Sequence, residues 1–166
     1  MKIISIIPAR MDSSRFPGKP MAKINGIPMI GHVYNNVSES MKLDLVVVAT
    51  CDKVIAEYIE KEGGVAIMTG DHHERAADRC AEALLKLEKN NNTHYDIVVM
   101  VQGDEPLIDP EMINEAITPM INDPSINVLN LLGEIKDQSE FNDRNCIKVV
   151  CDLKDDALYY SREPIP

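Results

Sequence analysis

Ile3-Ile4-Ser5-Ile6-Ile7-Pro8-Ala9-Arg10-Met11-Asp12-Ser13-Ser14-Arg15-Phe16-Pro17-Gly18-Lys19-Pro20 decides how this chain is read. A short, β-branched apolar run ended by proline predicts a buried strand breaking into a loop. Into that loop the sequence places Arg10, Arg15 and Lys19, with two serines and a glycine between them, in a protein whose net charge is -10. Guanidinium forks and an ammonium suit phosphate oxygens, and Gly18 permits close backbone approach, so a polyphosphate is the guest this loop predicts. A loop directly after the first strand lies where open α/β sheets bind nucleotides. Neither G-x-x-x-x-G-K-[ST] nor G-x-G-x-x-G occurs there, which disfavours a P-loop hydrolase and a dinucleotide oxidoreductase.

Outward from the loop, strands and helices alternate. Asn25-Gly26 predicts a tight turn, followed by a helix presenting Met29, Ile30, Val33, Tyr34 and Val37. Leu45–Thr50 is a near-continuous apolar run, the pattern of a strand buried on both faces of a parallel sheet. A helix with Val54, Ile55, Tyr58 and Ile59 inward follows, stopped by Gly63-Gly64. Val65–Met68 is a third strand, and residues 74–90 form a helix with Ala77, Cys80, Ala81, Leu84 and Leu87 facing the core. Residues 97–101 are a fourth buried strand, and Asp109-Pro110 opens a helix bearing Ile113, Ala116, Ile117 and Met120. A strand is expected over 127–132, and a hairpin pairs 147–151 with 157–160. The pattern predicts an α/β protein: a mostly parallel sheet with helices on both faces, in a single domain spanning residues 1–166.

Bulk properties narrow the function. With 166 residues, 45% hydrophobic and 27% charged, the composition is that of an ordinary globular domain. The acidic balance argues against a general nucleic-acid binder, which needs a basic face, but leaves room for a small anion held by a local basic loop. No apolar run approaches the roughly 20 residues that span a bilayer, and Met1-Lys2 leads into a strand rather than a signal peptide, so a cytoplasmic location is expected. Cys51, Cys80, Cys146 and Cys151 show no C-x-x-C spacing, so reduced thiols are expected rather than a zinc site.

A second constellation follows the fourth strand. Gln102-Gly103-Asp104-Glu105-Pro106 puts two carboxylates at a strand's carboxyl end, facing the loop of Arg10 and Lys19. Magnesium takes oxygen ligands, usually one or two carboxylates with phosphate and water, and Asp104 is the candidate ligand. As a lone turn, this motif would be read as structural. Beside a basic loop it supplies what a phosphoryl site needs, cations for phosphate oxygens and a metal-holding carboxylate. His32 and His94 read as structural or exposed, whereas His72 and His73, at a strand end, are candidate ligand contacts.

Three blocks carry a family resemblance: Ile7-Pro8-Ala9-Arg10 with Ser14-Arg15-Phe16-Pro17-Gly18-Lys19-Pro20, then Val101-Gln102-Gly103-Asp104-Glu105-Pro106-Leu107-Ile108, then 146–150 with 157–166. Together they resemble the 3-deoxy-manno-octulosonate cytidylyltransferases, or CMP-Kdo synthetases. The resemblance implies a Rossmann-like nucleotide-diphospho-sugar transferase fold and transfer of a cytidylyl group from CTP to a 3-deoxy-2-keto sugar acid, releasing pyrophosphate. Sialic-acid-like nonulosonates are alternative acceptors, and nucleotide binding without turnover is an alternative role. Arg10, Arg15 and Lys19 match triphosphate-binding positions, and Asp104 matches a Mg²⁺ ligand. Ala9, Arg79, Gln102, Ser161 and Arg162 match substrate-side positions. The catalytic set implied is Arg10, Lys19 and Asp104, with no covalent intermediate, and a homodimer is implied by family. Two departures stand out. The family continues into a C-terminal part bearing a second metal-binding aspartate, so the chain is expected to be incomplete there. It also usually reads Ser-Gly-Thr before Asp-Arg, where this chain has Arg75-Ala76-Ala77 before Asp78-Arg79; Arg75 is a candidate phosphate or carboxylate partner or a plain helix-surface arginine.

Overall fold

In the computed structural model, residues 1–12 and 16–165 are described. They form two compact units, Met1–Asn130 and Leu131–Pro166. Strand β1 (Ile3–Ala9) is buried along its whole length. A 3₁₀ turn (Lys19–Met21) follows, then a small hairpin of β2 (Lys23–Ile24) and β3 (Ile27–Pro28), whose Asn25 and Gly26 both have positive φ, as a two-residue hairpin turn requires. Helix α1 (Met29–Ser38), β4 (Leu45–Thr50), α2 (Lys53–Lys61), β5 (Val65–Met68), α3 (Ala76–Asn91), β6 (Ile97–Met100) and α4 (Pro110–Asn122) complete the first unit.

The four long strands form a parallel sheet in the order β5-β4-β1-β6. Alternation along β1 and β4 separates two cores. On one face Ile3, Ile7, Val46 and Val48 pack against Ile30, Val33 and Val37 of α1, Ile55 and Ile59 of α2, and Ile113 and Ile117 of α4. On the other, Ile4, Ile6, Val47 and Ala49 pack against Cys80, Ala83 and Leu87 of α3. Burying both faces of its inner strands explains why β1 and β4 read as continuous apolar runs. Asp109 caps α4, its Oδ1 accepting the Glu111 N–H at 2.9 Å.

Four expectations need correction. Residues 127–132 form no strand; among the described residues they have no ladder partner, and Val128 is 79% exposed. β6, expected to be a buried strand, lies at a sheet edge, leaving Val98 and Met100 substantially exposed. Helix α3 turns Arg79 and Ala83 inward, while Ala77 and Ala81 face solvent. In α2 the buried residues are Ile55, Ala56 and Ile59, and Val54 is exposed.

The second unit holds α5 (Gln138–Asn142) and an antiparallel hairpin of β7 (Lys148–Cys151) and β8 (Ala157–Ser161) with an irregularity at Val150/Cys151. Lys148 is 2% exposed, and its ammonium donates to the carbonyls of Asp143, Cys146 and Arg162, tying the hairpin to the preceding loop. Among the described residues no helix is long and apolar enough to cross a membrane.

Candidate active site

The chain builds β1, then β4 and β5 outward on one side, and returns to place β6 on the other side of β1. That reversal is a topological switch point, and the loops leaving adjacent strands there part to open a crevice. The loop after β1 is pinned at both ends. The Met11 N–H donates to Asp52 Oδ2 at 2.8 Å, and the Gly18 N–H returns to the Met11 carbonyl at 2.9 Å. Gly18 adopts φ +74°, a left-handed conformation that suits glycine, and from it the 3₁₀ turn starts at Lys19. Arg15, with Ser13 and Ser14, lies outside the described residues.

The loop after β6 makes its own approach. The Glu105 N–H bonds the Gln102 carbonyl at 3.2 Å, and a Cβ on Gly103 would stand 2.6 Å from the Pro8 carbonyl oxygen. Only a residue without a side chain lets this turn press against the end of β1. The result is an ion pair across the switch point, Lys19 Nζ to Asp104 Oδ2 at 2.6 Å, both side chains partly solvated.

These groups line a cleft of about 310 Å³ with Ala9, Arg10, Asp12, Gln102 and, from the third side, Glu74, Arg75 and Arg79. Arg10 and Gln102 are exposed, and Ala9 is buried. Arg79 is 3% exposed. One guanidinium nitrogen donates to Thr69 Oγ1 and to the Gly70 carbonyl, while Nη2 has no partner among the described residues. A buried cation without a carboxylate beside it is costly unless an anion reaches it. The loop carrying Thr69 and Gly70 is held to α3 by Glu82, which accepts from Gly70 N–H, Lys86 and His73. Those three donors, Lys86 foremost, hold the Glu82 carboxyl at about 2, far below the ordinary range.

The structure thus brings Ala9, Arg10, Lys19, Arg79, Gln102 and Asp104 to one cleft. Ser161 and Arg162 sit in the second unit, where Ser161 Oγ accepts the Glu163 N–H and Arg162 donates to the Arg144 carbonyl. Asp12, Glu74 and Gly103 were not singled out from sequence. Asp12 and Glu74 look like ordinary surface acids, and Gly103 could have been flagged only by its position between Gln102 and Asp104. His32 is tied to the Ile24 carbonyl at 2.9 Å, and His94 is exposed beside Glu88.

Comparison with known proteins places this cleft in context. A family model described as cytidylyltransferase matches residues 4–166. The chain is 46% identical over 166 residues to a 3-deoxy-manno-octulosonate cytidylyltransferase from Geobacter metallireducens, and 46% identical to one from Trichlorobacter lovleyi. Each alignment takes in 100% of this chain but 63% and 64% of the relative, so the chain spans just under two-thirds of the length of these curated relatives. Among solved structures, CMP:2-keto-3-deoxy-manno-octonic acid synthetase complexed with CTP superposes with a TM-score of 0.86 at 35% identity, covering 100% of this chain and 66% of that one. A cytidylyltransferase from Leptospira borgpetersenii gives 0.62 at 27% identity, covering 74% of this chain and 50% of that one. The parallel sheet with its switch-point cleft is accordingly a nucleotide-diphospho-sugar transferase fold. With the family model covering all but its first three residues, the chain belongs to the cytidylyltransferase family.

Proposed function

We propose that the chain forms the nucleotide side of an enzyme that transfers a cytidylyl group from CTP to a 3-deoxy-2-keto sugar acid of the Kdo type. The observation that carries this reading is the convergence of Arg10, Lys19 and Arg79 on one cleft with Asp104. The kinship to Kdo cytidylyltransferases supplies the substrate class. The anomeric hydroxyl of the sugar acid attacks the α-phosphorus, the bond from that phosphorus to the bridging oxygen breaks, pyrophosphate leaves, and the hydroxyl proton is lost. Arg10, Lys19 and Arg15 would hold the triphosphate, and Gln102 and Ala9 would line the nucleoside. Ser161 and Arg162 are assigned to the substrate by sequence match alone. Positioning and charge neutralisation suffice for such a transfer.

Mg²⁺ fits the residues present. Asp104 offers hard oxygen donors at the cleft, and its Oδ1 has no hydrogen-bond partner among the described residues, so one carboxylate can hold an ion whose other ligands are phosphate and water. Bound there, the ion would offset charge developing on the phosphates. The four free thiols accord with a cytoplasmic setting.

The test is pyrophosphate release from CTP, Mg²⁺ and Kdo, with a nonulosonate as competitor acceptor. Release with Kdo alone supports the reading; release only with the nonulosonate redirects it to that acceptor. A second reading, nucleotide binding without turnover, draws on the bulky Arg75 and the hydroxyl-free Ala76 at the cleft's third side, with Ala77 following. It predicts calorimetric CTP binding with no release in the presence of either acceptor.

A further inference from the structure

His73 lies at the rim of the cleft, His72 and Glu82 lie outside its lining, and the three converge. One ligand atom from each lies within 4.8 Å of the others, and the two imidazole rings are 4.3 Å apart. The convergence has a structural cause at Gly70. Its N–H is shared between both Glu82 oxygens, at 3.2 and 3.0 Å. A Cβ there would stand 2.5 Å from His72 Nδ1, so the absent side chain is what lets that ring close over the carboxylate. His73 Nε2 bonds Glu82 Oε2 directly.

We propose that His72, His73 and Glu82 form a binding site for a borderline divalent cation such as Zn²⁺, separate from the Asp104 position. Two imidazoles and one carboxylate are the donor set zinc takes when a fourth position stays open, and nitrogen donors select against magnesium. Ligand atoms around a tetrahedral zinc sit roughly 3.5 Å apart, within reach of these side chains by small rotations. The ion takes the place of the direct contact between His73 Nε2 and Glu82 Oε2. The Gly70 N–H and Lys86, at 2.6 Å from Oε1, remain as outer partners that orient the carboxylate. Once bound, the ion fastens the loop of residues 69–75 to α3 and so steadies Arg75 and Arg79 at the cleft.

Metal-stripped protein, without CTP or Mg²⁺, is titrated with Co²⁺ and Zn²⁺ and followed by visible absorption and calorimetry. The expected result is saturable, equimolar Co²⁺ binding with the d–d bands of a four-coordinate nitrogen/oxygen site, reversed by Zn²⁺. Affinity falls about tenfold or more in His72→Ala and in Gly70→Ala, and stays at the parent value in Asp104→Asn. His72 is exposed and Gly70 has no positive φ, so both variants retain the fold, which circular dichroism verifies. Absence of saturable binding, an intense thiolate charge-transfer band, or parent affinity in both His72→Ala and Gly70→Ala overturns the site. Because no nucleotide is present, none of these outcomes bears on the proposed cytidylyl transfer.

Discussion

Lys19 and Asp104 were read from sequence as partners of a triphosphate and a metal, and in the structure they partner each other. With both side chains partly solvated, that pair contributes only ~0–1 kcal/mol to stability. Lys19→Ala should therefore leave the melting temperature nearly unchanged while weakening CTP binding by about 1.5–3 kcal/mol, the scale of a charge-assisted hydrogen bond. Asp104→Asn should lower Mg²⁺-dependent affinity and leave metal-free binding close to the parent. If both variants bind CTP–Mg²⁺ as the parent does, the two residues are structural. Cys80 offers a pH-dependent check on the core. Burial pushes its thiol up to about 11, against an opposing pull from the Arg79 charge. With the folded value raised, the protonated thiol contributes its full stability below the ordinary thiol range. That contribution is lost as pH climbs from there towards 11. At pH near 8 iodoacetamide should label the half-buried Cys51, Cys146 and Cys151 and spare Cys80 until the protein unfolds, as peptide mass mapping would report.

At the scale of elements, sequence patterning identified what burial dictates and faltered where a partner decides. Inner strands β1 and β4, apolar on both faces, and the Asn25-Gly26 turn were legible because each is specified locally. Residues 127–132 carry strand-like composition, but composition cannot show whether a neighbouring strand exists to accept their hydrogen bonds. In α3 the small alanines gave no sure sense of face, and a buried arginine in place of an apolar residue contradicts the pattern. That contradiction marks the cleft: Arg79 faces inward because the loop at Thr69 and Gly70, and the cleft beyond, need its guanidinium. The loop cations and the 102–106 turn were legible as chemistry. The Gly103 approach to Pro8 was not, because it depends on two strands meeting in space. Capping of α4 was also visible locally, and it is measurable. Asp109→Ala removes the acceptor of the Glu111 N–H and should cost about 1 kcal/mol, read as a lower denaturation midpoint with an unchanged m-value. A drop in m-value instead would mean that the cap shapes more than one helix end.

For the whole molecule, the chain divides into two compact units, and the buried hydrophobic residues among the described ones all lie in the first. Between α4 and α5, residues 123–137 carry no helix or strand, and Glu134 and Leu132 are exposed. Proteolysis concentrates in exposed segments whose backbone is not held in ladders or helices, since a protease must draw several residues into its own extended conformation. Glutamates within α2 and α3 are protected by their helices, whereas Glu134 is not. A glutamyl endoprotease should therefore cut first at Glu134, leaving an N-terminal product that contains the four-stranded sheet and every described cleft residue. A ligand binding only the native state raises stability by mass action, about 2.7 kcal/mol at a concentration 100-fold above Kd. Excess CTP–Mg²⁺ should thus raise the melting temperature of that product, as it should for the intact chain, without slowing the cut at Glu134. A product that no longer melts cooperatively would show that the first unit depends on the second for its fold. A folded product with no CTP shift would show that residues beyond Glu134 complete the nucleotide site.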